Sequence, residues 1–374
     1  MGADSSSQRI ARLTPLSAIL ALIEERVGAV RPRQCAPMAA LGHLLAEDVI
    51  APQCPPQPIA LRDGFAVAAA AVADAGPYAP LPFAARPHRI DVGEPLPSGT
   101  DAVAPLDAVS EHGDRAEAIA PVSPGEGVLP AGGDTTPRTP LRRAGQRLRA
   151  IDVAVMAAAG IAHAAIRSPR IRIVRGGAAP SPVIGAAHDM LVRAVTTAGG
   201  AALGWRDEAK PFAAALAETD AEAVIAVGGT GSGSKDGSVR ALARLGRVEA
   251  HGVALSPGET AALGFVGARP VLLVPGRLDA ALAVWLLIGR HLVARLAGGG
   301  VEDAATMLPL RRKVTSTIGL VELIPVACAG GMAEPLASGY LSFAALAQSD
   351  GWIVIPADSE GFAAGTPVAV RSWP

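Results

Sequence analysis

The sequence predicts an α/β multidomain protein built around a doubly wound parallel sheet. From residue 168 to residue 299, short runs of branched apolar residues alternate with segments of helical periodicity. This alternation is typical of βαβ units that place helices on both faces of one sheet. On either side, residues 61–128 and 307–370 contain short β-like runs separated by many prolines and glycines. These flanking regions predict small β-rich domains around the central sheet.

Length, charge and composition limit the classes of protein that this chain can be. Its 374 residues exceed what one small core holds, so we expect about two to four domains. The net charge of -1 gives no reason to expect a nucleic-acid partner. No stretch has the ~20 apolar residues that a spanning helix needs, and residues 1–12 lack the apolar centre of a signal peptide. We therefore expect a cytoplasmic protein that has no membrane partner.

Helical periodicity predicts the elements outside the central region. The first helix begins after Thr14, which can cap it, and Pro15, which suits a first turn; it ends near Gly28. A second short helix is predicted over residues 39–47. Residues 151–159 predict a third helix, which a following glycine ends.

The same reasoning predicts five strands and four helices in the central region. The predicted strands are 171–174, 201–205, 223–227, 248–255 and 271–274. The predicted helices are 188–198, 211–218, 238–245 and 278–296. Ligands of such sheets bind beyond the carboxyl ends of the strands. We therefore expect the segments after the third, fourth and fifth strands to line one edge of the sheet.

The glycine-rich segment after strand 223–227 is the most informative motif. Residues 228–237 read GGTGSGSKDG, and a predicted helix follows at once. A strand, a glycine loop and a helix bring backbone N–H groups and a helix N-terminus together, which favours anions and above all phosphates. We expect Gly231 to adopt a positive φ that a β-branched residue would not tolerate. A tight βα turn that binds nothing is the alternative interpretation.

Three strand ends supply the candidate binding residues. They are Gly228, Gly229, Thr230, Gly231, Ser232, Gly233, Lys235, Pro257, Gly258, Pro275, Gly276 and Arg277. A hard cation beside a bound phosphate needs carboxylates, because Mg²⁺ prefers oxygen ligands and bridges phosphates. Asp236 at the end of the loop and Asp207 in an earlier acidic pair are the candidate metal ligands. A solvated turn or a helix cap is the alternative role of each aspartate.

Six short phrases occur along the chain in the order in which one known family has them. They are residues 62–67 (RDGFAV), 92–103, 133–134, 228–236, 257–258 and 274–276. The first resembles the family's MDGYAV, and the fourth resembles its GGVSxGxxD. By these phrases the chain resembles the molybdopterin molybdenumtransferase family, which includes MoeA and the E domain of gephyrin.

The resemblance implies a molecule of four domains, one of them discontinuous. An elongated N-terminal α+β domain takes residues 1–50 and 132–167, and an inserted β module takes residues 51–131. A MogA-like α/β domain that binds molybdopterin takes residues 168–299, and a β-barrel-like domain takes residues 300–374.

The resemblance also implies a reaction, its substrates and its partners. Molybdate is joined to the dithiolene of adenylylated molybdopterin, AMP leaves, and a divalent ion such as Mg²⁺ assists. The catalytic aspartates implied are Asp63, Asp134 and Asp236. The resemblance further implies a homodimer with its site at the subunit boundary, and molybdoenzyme apo-proteins as recipients of the product.

Several positions depart from the family's phrases. Val92 stands where the family has threonine, residues 175–180 lack a family carboxylate, Ser256 and Glu259 replace two lysines, and Arg277 and Leu278 replace asparagine and proline. Since molybdate is a dianion, its pocket needs positive charge or several aligned donors. Lys235, Arg175 and Arg277 are the cations that could replace the lost lysines.

Three hypotheses therefore remain open at the level of sequence. In the first, the chain is an enzyme that inserts molybdenum with a rearranged set of cations. In the second, catalysis is lost and the chain carries molybdopterin or senses it as a regulator. The third is a nucleotide-binding α/β protein outside cofactor synthesis, against which the N-terminal phrases count.

Overall fold

The computed structural model describes residues 8–176, 181–204, 212–234, 236–301 and 303–373. Two predicted ligands, Asp207 and Lys235, lie outside these ranges.

The first helix packs on the central domain. Helix α1 (Leu16–Arg26) buries Ile19 and Ile23 in the same core as the central sheet. The backbone N–H of Thr14 donates to Gly252 O at 2.9 Å, which ties the helix start to that domain. The predicted cap is wrong, because Pro15 occupies the N-cap position and has no side-chain donor or acceptor.

Short strands follow α1, and the predicted helix over 39–47 is wrong. The elements are β1 (Arg33–Cys35), a 3₁₀ turn (Pro37–Ala40), β2 (Leu44–Leu45) and β3 (Val49–Ile50). Gly42 has φ 77°, which ends the helical turn. Leu44 and Leu45 then pair with Arg167 and Ile166. Pairing with a distant strand thus overrides the local helical pattern.

The segment of residues 59–129 is rich in short strands, as predicted, and these strands pair antiparallel. They are β4 (Ile59–Ala60), β5 (Gly64–Val67), β6 (Leu81–Pro82), β7 (His88–Ile90), β8 (Ala102–Ala104), β9 (Val109–His112), β10 (Arg115–Ala118) and β11 (Val128–Leu129). Two three-stranded sheets have the orders β7-β5-β8 and β6-β10-β9, and β11 pairs with β4. Phe65 and Val67 belong to the buried cluster of this segment.

The chain then returns to the first strands. The returning elements are β12 (Pro140–Arg142), α2 (Ala150–Ala158) and β13 (Ala164–Arg167). Strand β13 lies between β1 and β2, and β12 pairs with β3. Residues before and after the segment 59–129 therefore share sheets. The predicted domain boundaries remain a prediction.

The central region contains strands and helices in alternation. In chain order they are β14 (Arg170–Arg175), α3 (Pro182–Thr197), β15 (Ala201–Leu203), α4 (Phe212–Ala217), β16 (Ala223–Val227), α5 (Ser238–Leu245), β17 (Arg247–His251), β18 (Leu255–Ser256), β19 (Ala262–Val266), β20 (Arg269–Val274), α6 (Leu278–Val284), a π-helical turn (Trp285–Gly289) and α7 (Arg290–Leu296). The sheet order is β15-β14-β16-β20-β19-β17.

This sheet is mixed, whereas the sequence predicts a parallel one. Strands β15, β14, β16 and β20 are parallel, but β19 runs antiparallel to β20 and β17. A tight turn at Gly267, with φ 61°, joins β19 to β20, and only antiparallel strands can be joined so closely. The predicted strand 248–255 ends at His251 because Gly252 turns the chain with φ 96°. Leu255 then pairs with Val321 of the C-terminal sheet.

Both faces of the central sheet are covered, which confirms the doubly wound arrangement. Ile225 and Leu272 lie in the core shared with α1, α3 and the π-helical segment. Val224 and Leu273, their neighbours along the strands, lie in the cluster under α4 and α5. The alternation follows from the two-residue side-chain period of a strand.

The C-terminal region is a β domain with one short helix. Its elements are β21 (Ala305–Pro309), β22 (Val314–Thr315), β23 (Val321–Ala329), β24 (Met332–Pro335), α8 (Phe343–Gln348), β25 (Gly351–Ile355), β26 (Gly361–Phe362) and β27 (Pro367–Ser372). The main sheet has the order β18-β23-β25-β27-β21, and β24 pairs with β23. In the described ranges, no helix has the length and hydropathy of a membrane span.

Candidate functional site

Three strand ends meet at one edge of the central sheet, and a glycine follows each strand within two residues. Gly176 N donates to Val227 O at 2.8 Å, and Gly228 N donates to Val274 O at 2.8 Å. A Cβ on Gly176 would lie 2.0 Å from Gly228 O, and one on Gly276 would lie 3.4 Å from Gly228 Cα. The close approach of three backbones therefore requires glycine at position 176, a requirement that sequence reasoning missed.

The loop after β16 owes its shape to Gly228 and Gly229. Their φ angles are 92° and 73°, in the left-handed region that favours glycine. Ser238, fully buried, donates from Oγ to Gly228 O at 2.8 Å, and its N–H donates to Gly229 O at 3.0 Å. The expected positive φ at Gly231 is wrong. A Cβ on Gly231 would lie 2.8 Å from Asp236 Oδ2, so a larger residue there would displace that carboxylate.

The loop presents backbone donors in succession. Within the described ranges, the N–H groups of Thr230, Gly231 and Ser232 have no hydrogen-bond partner. They follow a buried strand and precede helix α5, whose dipole adds positive potential at its N-terminus. Adjacent unpaired N–H groups at such a position suit an anion.

Gln8 braces this loop from the N-terminal segment. Its Nε2 donates to Gly229 O at 3.1 Å and to Gly231 O at 2.9 Å, and its Oε1 accepts from Arg240 N at 3.0 Å. The side chain is buried. Since Gln8 binds the carbonyl oxygens, it holds the loop and leaves the successive N–H donors available. Sequence reasoning missed Gln8, because an isolated polar residue near a terminus carries no local signal.

The segment after β17 lies against the same loop. The sequence predicts that this segment lies at the same edge of the sheet as the loop. Thr230 and Thr260 share a hydrogen bond between their hydroxyls at 2.9 Å. His251 donates from Nε2 to Thr230 O at 3.0 Å. Gly258 follows Pro257 and has φ 137°. A Cβ at this position would lie 3.0 Å from Val284 Cγ2, so glycine leaves room for the valine side chain.

Asp236 folds back onto the glycine loop. Its Oδ2 accepts from Gly233 N at 2.9 Å. A Cβ on Gly231 or Gly233 would lie within 3.0 Å of that oxygen, so both glycines make room for the carboxylate. One carboxylate oxygen of Asp236, Oδ1, is without a hydrogen-bond partner among the described residues.

The side chain of Arg277 makes its contacts at the boundary with the C-terminal domain. Its guanidinium forms an ion pair with the buried Asp279 and lies over the Tyr340 ring at 5.0 Å. The hydrogen bonds to Asp279 raise the pKa of Arg277, and the nearby charge of Glu259 raises it further. Asp279 thus offsets most of the charge that sequence reasoning assigned to an anion pocket.

The two positions that stand in place of the family's lysines carry no positive charge. Ser256 is buried, and Glu259 accepts from Gly258 N at 3.0 Å. Arg175 is the last residue of strand β14 and pairs with Val227 of β16. Its groups also take part in a further interaction.

Asp63 and Asp134 are held within the N-terminal half of the chain. Asp63 is exposed, and its Oδ1 accepts from Val92 N at 2.8 Å. Asp134 is also exposed, and its N–H donates to Cys54 O at 3.0 Å. These contacts do not reach the loop 228–236. Asp207 lies outside the described residues, and the described ones contain no group of three or more His, Cys, Asp or Glu that could hold a metal.

Three family models match successive parts of the sequence. The MoeA N-terminal region (domains I and II) matches residues 14–160, the probable molybdopterin-binding domain matches residues 184–295, and the MoeA C-terminal region (domain IV) matches residues 307–373.

Named relatives and solved structures agree with these matches. Molybdopterin molybdenumtransferase 2 of Mycobacterium tuberculosis is 28% identical over 302 residues, which cover 69% of this chain and 75% of that protein. A putative molybdopterin biosynthesis protein of Methanocaldococcus jannaschii is 32% identical over 165 residues, which cover 43% of this chain and 38% of that protein. The crystal structure of a molybdopterin biosynthesis MoeA protein from Pyrococcus horikoshii has a similar fold, with a TM-score of 0.76 at 23% identity, covering 96% of this chain and 99% of that one.

The fold defines an α/β protein of several regions with a glycine-lined edge on its central sheet. The three family matches follow one another along most of the chain. The chain belongs to the MoeA family.

Proposed function

We propose that this protein is a molybdopterin molybdenumtransferase of molybdenum cofactor biosynthesis. In this reaction molybdate is joined to the dithiolene of adenylylated molybdopterin and AMP leaves. The observation that carries the proposal is the succession of N–H groups at Thr230, Gly231 and Ser232, which have no partner within the described ranges and lie at the carboxyl edge of the sheet. Two adjacent phosphates need such donors, and the loop is already held in shape by Gln8 and Ser238.

The residues of the loop have separate roles in this proposal. The N–H groups of residues 230–232 bind the substrate's phosphate oxygens and fix their orientation. Asp236 contributes a carboxylate oxygen beside them. This donor set suits Mg²⁺, which proteins often bind through one or two carboxylates together with substrate phosphates. When bound, Mg²⁺ supplies positive charge that stabilises the leaving phosphate.

We further propose that a second copy of the chain completes the site. Asp63 and Asp134 are exposed, and the hydrogen bonds that they make with described residues, Val92 and Cys54, stay within the N-terminal half. In a homodimer they would reach the loop of the other copy. Molybdoenzyme apo-proteins would then receive the finished cofactor.

The test is release of AMP. The purified full-length protein is mixed with adenylylated molybdopterin, molybdate and Mg²⁺, and free AMP is measured by chromatography. The proposal expects AMP release that depends on molybdate. Tight retention of the adenylylated substrate without release would instead identify a carrier and would overturn the enzymatic proposal.

A further inference from the structure

An arginine and a tyrosine are stacked where the central region meets the C-terminal region. Arg277 lies between strand β20 and helix α6, and Tyr340 lies between β24 and α8. The guanidinium carbon of Arg277 is 5.0 Å from the centre of the Tyr340 ring, within the range of a cation–π contact. The Arg277 side chain is 55% exposed, and Tyr340 is 60% exposed. The pair therefore presents two planar groups at the surface, where a ligand can reach them.

A buried carboxylate holds both members of this pair in place. Asp279 is buried, and its Oδ1 accepts from Arg277 Nε at 3.1 Å and from Ala280 N at 2.8 Å. Its Oδ2 accepts from Arg277 Nη2 and, at 3.2 Å, from the N–H of Leu341, the residue after Tyr340. Two hydrogen bonds to one carboxylate fix the plane of a guanidinium. The pair is thus ordered before a ligand arrives, which lowers the entropy cost of binding.

The pair keeps hydrogen-bonding groups that the described residues do not use. Arg277 Nη1 and the Tyr340 hydroxyl have no hydrogen-bond partner within the described ranges. A guanidinium donates in its own plane, and a phenol hydroxyl both donates and accepts. Such groups suit the nitrogen and oxygen atoms at the rim of a planar heteroaromatic ring.

The pair belongs to the same edge of the central sheet as the loop 228–236. Gly276, the residue before Arg277, lies against the start of the loop, because a Cβ on Gly276 would be 3.4 Å from Gly228 Cα. Glu259, on the segment that also contacts the loop, is near enough for its charge to raise the pKa of Arg277. A ligand held at the loop by a phosphate therefore has this pair as its neighbour on the side of the C-terminal region.

The ion pair favours a ring over a second anion as the group bound here. The guanidinium of Arg277 is already compensated by Asp279 in direct contact, so an anion gains little from its charge. Stacking depends instead on the planar faces, which the hydrogen bonds to Asp279 leave intact. Aromatic side chains and arginine together are the groups on which proteins stack bases.

We propose that Arg277 and Tyr340 bind a planar heteroaromatic ring of the ligand whose phosphate lies at the loop 228–236, an inference that rests on the proposed function. Adenylylated molybdopterin carries two such rings, adenine and the pterin. Stacking accepts either of them, because each has a π face. The family's phrase has asparagine where this chain has Arg277, so this ring contact is a feature of the chain's own sequence.

Calorimetric titration of the full-length protein with three phosphates tests this proposal. AMP carries adenine, neopterin monophosphate carries a pterin, and ribose 5-phosphate carries no aromatic ring. We expect at least one ring-bearing probe to bind about tenfold more tightly than ribose 5-phosphate. Tyr340→Leu keeps an apolar side chain and removes the ring, so this advantage should fall to about twofold or less. The affinity for ribose 5-phosphate should stay unchanged.

Two further variants separate the ring contact from charge and from general surface effects. Arg277→Lys keeps the charge and removes the planar group, so the advantage of the ring-bearing probes should fall here as well. Tyr78→Leu is the matched control, because Tyr78 is the other tyrosine of the chain and is fully exposed in the segment 59–129. Its three affinities should equal those of the unmodified protein.

The outcomes identify the ring and decide the proposal. A preference for AMP identifies adenine, and a preference for neopterin monophosphate identifies the pterin; either result, or both together, supports the site. Equal affinities for all three probes, no heat with any of them, or an unchanged advantage in either variant would overturn it. Equal weakening of all three probes in Tyr340→Leu would also overturn it, because the role of Tyr340 would then be structural. Should Arg277→Lys fail to fold, Tyr340→Leu decides alone.

The release of AMP from adenylylated molybdopterin separates this inference from the proposed function. Ring-dependent affinity in a protein that releases no AMP would retain the ring site and refute the transferase. AMP release by a protein whose Tyr340→Leu variant binds all three probes normally would retain the transferase and refute the ring site.

Discussion

The glycine loop and the N-terminal aspartates differ in how the protein holds them. The loop after β16 is braced on several sides, by Gln8, Ser238, His251 and Thr260. Asp63 is exposed and accepts one hydrogen bond from a neighbouring backbone N–H. A donor loop held in this way pre-organises anion binding. An exposed carboxylate gains a catalytic role only when another surface covers it, which is why the proposed site needs a second copy.

Crowding the loop at Gly176 should have the largest effect. In Gly176→Ala the new methyl group meets Gly228 O and Ser238 Oγ, which would lie 2.0 and 2.3 Å from the Cβ. We expect a loss of about 1–3 kcal/mol in the free energy of unfolding, with loss of binding of adenylylated molybdopterin. Chemical denaturation and calorimetry measure the two effects.

The control for this change is Gly185→Ala in helix α3. A Cβ at Gly185 meets no atom within 4 Å. The control should be neutral or slightly stabilising, because alanine favours a helix over glycine. Equal behaviour of the two variants would show that the approach of Gly176 to Gly228 does not shape the site.

Removing the charge of Asp236 should affect catalysis far more than folding. Asparagine keeps an acceptor for Gly233 N, which now bonds Asp236 Oδ2 at 2.9 Å. We expect Asp236→Asn to melt within about 2 °C of the unmodified protein and to release AMP about 100-fold more slowly at limiting Mg²⁺. Asp350→Asn is the control, because Asp350 makes the same kind of bond to Cys328 N in the C-terminal domain. If both variants turn over normally, Asp236 has no part in the reaction.

Much of the central sheet could be predicted because its signals are local. The strand 223–227 and the helix 238–245 have the predicted bounds, since apolar runs and a following glycine fix them. Strand β19 is absent from the predicted strands, so the hairpin that it forms with β20 across Gly267 was missed and a parallel sheet was expected. The predicted helix over 39–47 failed because pairing with a distant strand decides the structure there, as Leu45 pairs with Ile166.

The candidate site was predictable in part. The glycine loop and the segments at Gly258 and Gly276 carry sequence signals. Gly276 lies against Gly228, and Thr260, two residues after Gly258, bonds Thr230. Gln8 carries no sequence signal, because its role depends on a tertiary contact with residues more than 200 positions away. The charge of Arg277 was visible in the sequence, but its pairing with Asp279 became clear only in three dimensions.

Removing the Gln8 brace should have an intermediate effect. Gln8→Ala removes donors to Gly229 O and Gly231 O and an acceptor for Arg240 N. We expect about 1–3 kcal/mol less stability and weaker binding of adenylylated molybdopterin, without loss of the fold. Gln53→Ala is the control, because exposed Gln53 bonds Pro56 O and no other group among the described residues. Unchanged binding in Gln8→Ala would mean that the loop keeps its shape unaided.

The smallest expected effect concerns Asp152 in the N-terminal half and depends on pH. Hydrogen bonds from Arg149 lower the pKa of Asp152 from 3.8 to about 2. The folded state therefore favours the ionised carboxylate, so its contribution is complete above about pH 4 and is lost as the pH falls towards 2. Asp152→Asn should melt a few degrees lower at pH 6, and the difference should shrink steadily below pH 4. Thermal melts of Asp152→Asn and of the unmodified protein measure this difference in melting temperature, and Asp114→Asn, at an exposed position, is the control. A difference that stays constant from pH 6 to pH 2 would contradict this role.

The central claim is that the glycine loop of one copy works with the N-terminal aspartates of another. Asp63→Asn and Asp236→Asn chains, each nearly inactive alone, are co-expressed with different tags, and the mixed dimer is isolated. One of its two sites then has both aspartates intact, so the account predicts about half of the unmodified AMP release per dimer. A mixed dimer as inactive as either parent would contradict the account.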